Sequence, residues 1–313
     1  MVRASSRRLL QIEGAAGVRP GETLNSQLST LNSSRSAFTL IEMLVVIAIL
    51  GLIAGLAVPA LKNLGKSNAT VSASRQLLDD IGRARQLAIS QRTTVYMVFV
   101  PTNFWMIPGG VSSTWWNGLT PAARTVVTNL CDNQLTGYIF MGQGTVGDQP
   151  GRHNWHYLAP WQNLPAGTFI AQQKFGNPYG PAMTPVAVPP DITLLNNPDS
   201  PFRIYGFMTN AVPFPLETNA LVNLPCLVFD SFGHLLDQNG QIAQRHEYIP
   251  LAQGSIAPAV NATTKTFFID NTAGSWPSVI ENPPGNSTNI SANIIDIDPL
   301  TGRAVLQYYK MAP

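Results

Sequence analysis

Charge is what this chain has least of. Asp, Glu, Lys and Arg make up 12% of its 313 residues, about half the share usual in a soluble domain. The net charge is +2 and the sequence contains no basic block, which argues against a surface that tracks nucleic-acid phosphates. Catalytic signatures are missing as well. No Gly-x-Ser-x-Gly elbow, phosphate-binding loop, dinucleotide fingerprint or zinc set occurs. Ser, His and Asp are present, but without the order or local context of a triad. The chain therefore reads as a non-enzymatic protein. Cysteine is scarce too, with only Cys131 and Cys226. Two readings of the pair stand. One is a disulfide closing a loop of about 95 residues and contributing about 4 kcal/mol by loop entropy; the other is two unrelated buried thiols.

Apolar residues, by contrast, are plentiful. At 45% hydrophobic content a sizeable core can form, and 25 Gly and 25 Pro among many Asn and Thr point to a β-rich, loop-rich exported domain. Their distribution along the chain is uneven. Residues 1–37 are polar, carry Arg3, Arg7, Arg8, Arg19 and Arg35 against Glu13 and Glu22, and show no apolar periodicity, so they read as a leader without fold. From Met43 to Leu61 no charge occurs. With Phe38 to Ile41 this gives about 20 apolar residues, the length of a membrane-spanning helix, the form that satisfies every backbone group inside lipid. Glu42 sits inside this run. A carboxylate there costs about 2.5–3.5 kcal/mol on insertion scales, so it calls for a partner, a function, or snorkelling to the headgroups.

The run Ala37-Phe38-Thr39-Leu40-Ile41-Glu42, followed by the apolar segment, resembles the prepilin cleavage and methylation motif of type IV pilin-like proteins. The resemblance implies a cut between Ala37 and Phe38 by a membrane prepilin peptidase, with methylation of the new Phe38 amine. Most members have Gly where this chain has Ala37. Glu42 becomes the fifth mature residue and, by the resemblance, pairs with the amine of a neighbouring pilin or pseudopilin subunit. Pro59, together with Gly51 and Gly55, falls where such assembly helices are softened; Pro removes a helical hydrogen bond and crowds the preceding turn. Implied partners are the peptidase, other subunits and inner-membrane lipid. The implied location is the bacterial inner membrane, single-pass, with the C-terminal head in the periplasm and a place in a cell-envelope filament. An alternative is an exported binding protein or enzyme with an ordinary signal cleaved after Val58-Pro59-Ala60; Glu42 and the long polar segment before it argue against this.

Beyond Pro59 the pattern turns amphipathic. Val71, Leu77, Leu78, Ile81, Ala84 and Ala88 recur at helical spacing, and Asp79 and Arg83 form an acid-before-base pair four residues apart. One helix from Phe38 to about Ser90 would be about 80 Å long; two helices broken near Gly65 are the alternative. Thr93 to Val100 reads as a strand, with Asn103 to Ile107 a hairpin partner closed by Pro108-Gly109-Gly110. This order resembles minor pseudopilins of the GspH/FimT type. So do Leu227 to His234, a strand running into Asp-x-x-Gly, and Ile294 to Leu306, a hairpin turning at Asp298-Pro299-Leu300-Thr301-Gly302. The expected architecture is α+β and pilin-like: leader 1–37, transmembrane and assembly helix 38–61, amphipathic continuation 62–92, and an antiparallel β head over 93–313. Residues 109–200, with Pro178, Pro181, Pro185, Pro189 and Pro190, read as an irregular insertion in that head.

Three further constellations deserve a chemical reading. Asp148, His153 and His156 offer too few ligands at standard spacing for a metal, so loop polarity is preferred. Asp237-Gln238-Asn239-Gly240 has the opening of a calcium loop without its twelve-residue pattern, which favours a β-turn and leaves calcium as a low-ranking cofactor. Trp115, Trp116, Trp155, Trp161, Tyr157 and Tyr179 concentrate aromatics in the insertion, as a grip for a partner or glycan if exposed and as the core of a small subdomain if not.

Overall fold

The computed structural model describes residues 38–104, 113–144, 147–148, 153–175, 205–260, 263, 277–287 and 291–310, with the side chains of 56–68, 113–114, 291–292 and 308–310 outside the description. Ala37, Pro108–Gly110, Tyr179 and the proline cluster at 178–190 fall outside it, as does the side chain of Pro59. The chain divides into two compact units, Met1–Gly55 and Leu56–Pro313.

Helix α1 is continuous over Leu40–Gln91, as the single-helix reading expects, and the alternative break near Gly65 does not occur. In the first unit its side chains from Leu40 to Ile53 are exposed all round, as expected of a segment hydrophobic on every face. Among the described residues no helix is long and apolar enough to cross a membrane; the described side chains of the run stop at Gly55, short of the about 20 residues a span requires.

The second unit is α+β. Strand β1 (Thr94–Phe99) lies at the centre of an antiparallel sheet ordered β3-β2-β1-β7-β6, made with β2 (Gly137–Gln143), β3 (Trp155–Tyr157), β6 (Met208–Pro213) and β7 (Leu221–Phe229); β4 (Gln162–Asn163) also pairs with β2. A second antiparallel sheet runs β11-β10-β8-β5, from β5 (Thr168–Ile170), β8 (Glu247–Ala257), β10 (Ser291–Ile297) and β11 (Ala304–Lys310), with β9 (Ser278–Glu281) on β8. The apolar stripe of α1, Ala73, Leu77, Ile81, Ala84 and Ala88, is fully buried against Val95, Met97 and Phe99 of β1, Tyr138 and Phe140 of β2, and Ile249, Leu251, Ile295 and Ile297 of the second sheet. Burying a Leu or Ile of this kind contributes about 1.5–3 kcal/mol. The opposite face of the first sheet carries Tyr96, Val98, Ile139, Met141, Cys226 and Val228. Over them packs α2 (Pro121–Leu130), capped by Thr120 Oγ1 accepting from the Ala123 amide and burying Ala123, Val127 and Leu130. Covered on both sides, β1 and β2 read as unbroken apolar runs rather than alternating ones.

The structure corrects three expectations and decides between the two readings of the cysteines. The neighbours of β1 are β2 and β7, in register Val98↔Ile139 and Val98↔Cys226; Asn103 is instead a turn residue at φ 50. Residues 113–175 are no irregular insertion, because β2 supplies a core strand whose Tyr138, Ile139, Phe140 and Met141 are fully buried. The Asp79–Arg83 pair is absent. Arg83 lies 5.5 Å over the Phe140 ring, and it is Asp80 that fastens α1, accepting from Tyr138 Oη at 2.5 Å. Cys131 and Cys226 are free thiols within one apolar layer. Cys131 points its Sγ back to Val127 O at 3.4 Å, while Cys226 is committed to the β1–β7–β6 ladder.

A buried pair with no local signature in the sequence ties the chain at 174 and 205 to β8. Lys174 is completely buried; its Nζ contacts Glu247, donates to Tyr205 O at 2.8 Å and sits 4.7 Å from the Phe207 ring. Burial holds this ammonium below the usual lysine range, against the opposing pull of Glu247. Losing either partner would strand a buried charge.

Burial also pushes the thiols up, Cys131 to about 12 with Asp132 adding to the effect, and Cys226 likewise against a hydrogen bond from the Asn210 backbone. Since the thiolate is the nucleophile, neither cysteine should react with iodoacetamide near pH 8 in the folded protein. Both should label in denaturant without reductant, as intact mass will show. A chain that takes label only after reduction contains the bridge instead.

Candidate functional site

The start of α1 is where the sequence concentrates its unusual residues, and its geometry is that of a capping box. Thr39, just before the first helical residue Leu40, places Oγ1 at 3.3 Å from the Glu42 amide, which donates to it. Glu42 reaches back: its Oε2 accepts from the Thr39 amide at 2.8 Å and from Thr39 Oγ1 at 2.9 Å. The first turn of a helix leaves four amides without partners, and a Thr-x-x-Glu spacing satisfies two of them reciprocally. The carboxylate also faces the positive end of the helix dipole. Glu42 is thus engaged within its own chain, not merely an acid stranded among apolar residues. Thr39 is the residue that sequence reasoning passed over, although the Thr39-Leu40-Ile41-Glu42 spacing carried the signal.

Around this box Phe38, Leu40 and Ile41 are 73%, 84% and 69% exposed. A Cβ built on Gly51 or Gly55 meets nothing within 4 Å, so packing inside this chain requires neither glycine. Pro59 lies within the helical backbone.

Elsewhere the constellations resolve into structure. His156 Nε2 pairs with Asp148 at 3.0 Å while His153 stays exposed; among the described residues no group of three or more His, Cys, Asp or Glu could hold a metal. Asp237 Oδ1 accepts from the Asn239 and Gln241 amides at 2.8 and 3.0 Å, with Gly240 at φ 72, so this carboxylate is spent on a turn. Trp115, Trp116, Trp155, Trp161 and Tyr157 are part-buried against the outer layer of the first sheet. Trp155 lies 4.8 Å from the Tyr96 ring, and Trp115 and Trp161 flank Phe214. They act as core, not as an exposed grip.

The two turns expected from sequence are formed, and they meet. Asp230 Oδ1 accepts from the Phe232 and His234 amides at 2.9 and 2.8 Å, and Oδ2 lies 2.8 Å from His234 Nδ1. Asp298 Oδ1 accepts from the Leu300 and Thr301 amides. The Leu235 amide donates to Pro299 O at 2.9 Å, and Arg85 of α1 donates to Thr301 O at 2.7 Å. Gly302, at φ 60, cannot be replaced: a Cβ there would lie 2.0 Å from Gly233 O.

Residues 32–58 match the prokaryotic N-terminal methylation motif, the prepilin signal of type IV pilin-like proteins. The match contains Ala37, Phe38, Thr39, Glu42, Gly51 and Gly55 and ends one residue before Pro59. No curated protein and no solved structure matches the chain.

Two outcomes follow from this geometry. Thr39→Val keeps the shape and removes the cap, at a cost of about 1 kcal/mol. Hydrogen exchange at the Met43 amide, which donates to Thr39 O at 3.3 Å, should then quicken about fivefold; an unchanged rate shows the box to be idle. At Asp230, burial raises the carboxyl pKa, but the hydrogen bonds from His234 and Phe232 outweigh it and leave the group below its ordinary value. A depressed carboxylate stabilises the fold above its unfolded pKa and loses that contribution as pH falls through the folded one. The unfolding gap between wild type and Asp230→Asn should therefore narrow below about pH 4. A constant gap down to about pH 2.5 removes Asp230 from the acid response.

Proposed function

We propose that this chain is a structural subunit, a minor pilin or pseudopilin, of a type II secretion or type IV pilus-like filament. Prepilin peptidase cuts it between Ala37 and Phe38 and methylates the Phe38 amine; the apolar segment then holds it in the inner membrane, with its head on the periplasmic side. The observation that carries this reading is the methylation motif over residues 32–58; a cut between Ala37 and Phe38 would leave a single residue before the Thr39–Glu42 box.

The physics of the box supports an assembly role. Cleavage creates a cation on Phe38 at the positive end of its own helix dipole, where cations are disfavoured by about 0.3–1 kcal/mol. Glu42 Oε2 accepts both bonds from Thr39, so Oε1 can meet the amine of a neighbour. In a low dielectric, a paired amine and carboxylate are strongly favoured over two isolated charges. Subunits would therefore settle in the register that brings the two together. Gly51 and Gly55, unneeded by packing within the chain, leave room for a neighbouring helix to approach closely. The helix-then-strand order, the Asp230–Gly233 turn and the β10–β11 hairpin fit an H-type minor subunit better than a bulk pilin. The aromatic and proline-rich middle third then distinguishes this head within that type.

Mass spectrometry of the mature N-terminus tests the processing. Methylated Phe38 is the expected result. A chain starting at Leu61 means an ordinary secretory signal, and an uncleaved chain means a plain anchor; either overturns the proposal. Glu42→Ala should still insert in membrane but fail to co-purify with other subunits. Normal incorporation of the variant removes Glu42 from assembly.

A further inference from the structure

One cavity of the second unit combines an apolar floor with charged groups where its lining becomes exposed. Its volume is about 160 Å³, close to that of a protein cavity that holds one benzene ring. On the floor Cys226 and Leu227 of β7 and Leu235 are buried, and Met208 of β6 lies opposite Cys226 in the strand register. One wall is a short hairpin folded back on β7. The Leu236 amide donates to Val228 O at 2.8 Å, the Ala243 amide donates to Leu235 O at 2.9 Å, and the Asp237 amide donates to Gln241 O at 2.7 Å. Backbone hydrogen bonds thus hold the cavity in shape, as in most small-ligand sites.

The charged residues of the lining are Arg245, Glu247 and Asp237. Glu247 contacts the buried ammonium of Lys174, so its charge is balanced inside the fold. Two opposite charges remain. Arg245 lays its guanidinium over the Tyr205 ring, 3.6 Å from the centroid. Stacking uses the face of a guanidinium; its donors lie in its plane and suit a carboxylate. Asp237 spends Oδ1 on the Asn239 and Gln241 amides and has Oδ2 to offer a cation. Arg245 and Asp237 form no ion pair with each other. A simple carboxylate would meet Asp237 as a like charge, and a simple amine would meet Arg245 as one. A small body that carries both charges meets neither penalty. We propose that this cavity binds a free α-amino acid with an apolar side chain. The side chain rests on the Met208, Cys226, Leu227 and Leu235 floor, the carboxylate meets Arg245 and the ammonium meets Asp237 Oδ2. A residue inside a polypeptide has neither charge and a terminal residue has only one, so the two charges together select the free form. None of these residues belongs to the Phe38–Glu42 region, so failure of either reading leaves the other intact.

Titration calorimetry of the full chain in detergent micelles, with L-phenylalanine and L-leucine as probes and protein-free micelles as the blank, tests this. At least one probe should bind saturably, one per chain, with a dissociation constant below about 10 mM. The N-acetyl derivative of that amino acid lacks the ammonium, and its decarboxylated amine lacks the carboxylate. Each should bind the unmodified chain about tenfold more weakly, a comparison that no folding defect can disturb. Arg245→Ala should weaken binding of the amino acid about tenfold. Asp237→Asn keeps Oδ1 for the turn and should weaken it several-fold, with the unfolding temperature unchanged in both variants. The proposal is overturned if neither amino acid binds, if either analogue binds as tightly as the amino acid, or if either variant binds as the wild type does.

Discussion

Both sheets of the second unit close on one stripe of α1: Ala73, Leu77, Ile81, Ala84 and Ala88. The mix of small and large residues at helical spacing matters as much as their apolarity. The three alanines let the helix lie close to strands whose inward side chains are large, among them Phe99, Tyr138, Phe140 and Phe229. Close packing of this kind leaves little tolerance for volume change. The first sheet then has its inner face set by the helix, and its outer face must be covered separately. That second demand explains α2 and the aromatic cluster around Phe214.

Polar fastenings fix the angle at which helix and sheets meet. Asp80 holds Tyr138 on β2, Gln76 donates to the same hydroxyl at 2.7 Å and to Asn163 O, and Arg85 reaches the Asp298–Gly302 turn. Nonpolar contact is non-directional, whereas each of these bonds has a required geometry. The Lys174–Glu247 contact works the same way at a deeper level: Lys174 N and O, its Nζ and the Phe207 ring gather the chain at 171–175 and 205–207 onto β8. Its cost in desolvation is the reason such a pair behaves as a fixture and not as a source of net stability.

At the other end of α1 the same residue serves local structure and the proposed assembly. Glu42 closes a capping box with Thr39 inside one chain, and one of its oxygens is left for an incoming amine. A carboxylate already oriented by Thr39 loses less freedom on pairing than a free side chain would.

Much of this was legible in the linear sequence, and the reason is that it depends on neighbours in the chain. The motif at Phe38–Glu42, the 3.6-residue stripe of α1, and the turns at Asp230–Gly233 and Asp298–Gly302 are all written in spacings of a few residues. What required the tertiary structure involves partners far apart in sequence. Which strand flanks β1 depends on residues 137–143 and 221–229, not on the segment that follows it. A middle third rich in proline and glycine looked irregular, yet it contributes β2, since a strand buried on both faces lacks the alternation that marks a half-exposed one. The aspartate that matters in α1 is Asp80 and not Asp79, because the position of Tyr138 decides it. Cys131 and Cys226 are free thiols in one apolar layer, since burial there asks only that a side chain be apolar and not that two of them meet disulfide geometry. Local spacing thus determined the helix, its cap and its turns. The closing of two sheets on one helix face decided everything that depends on who meets whom.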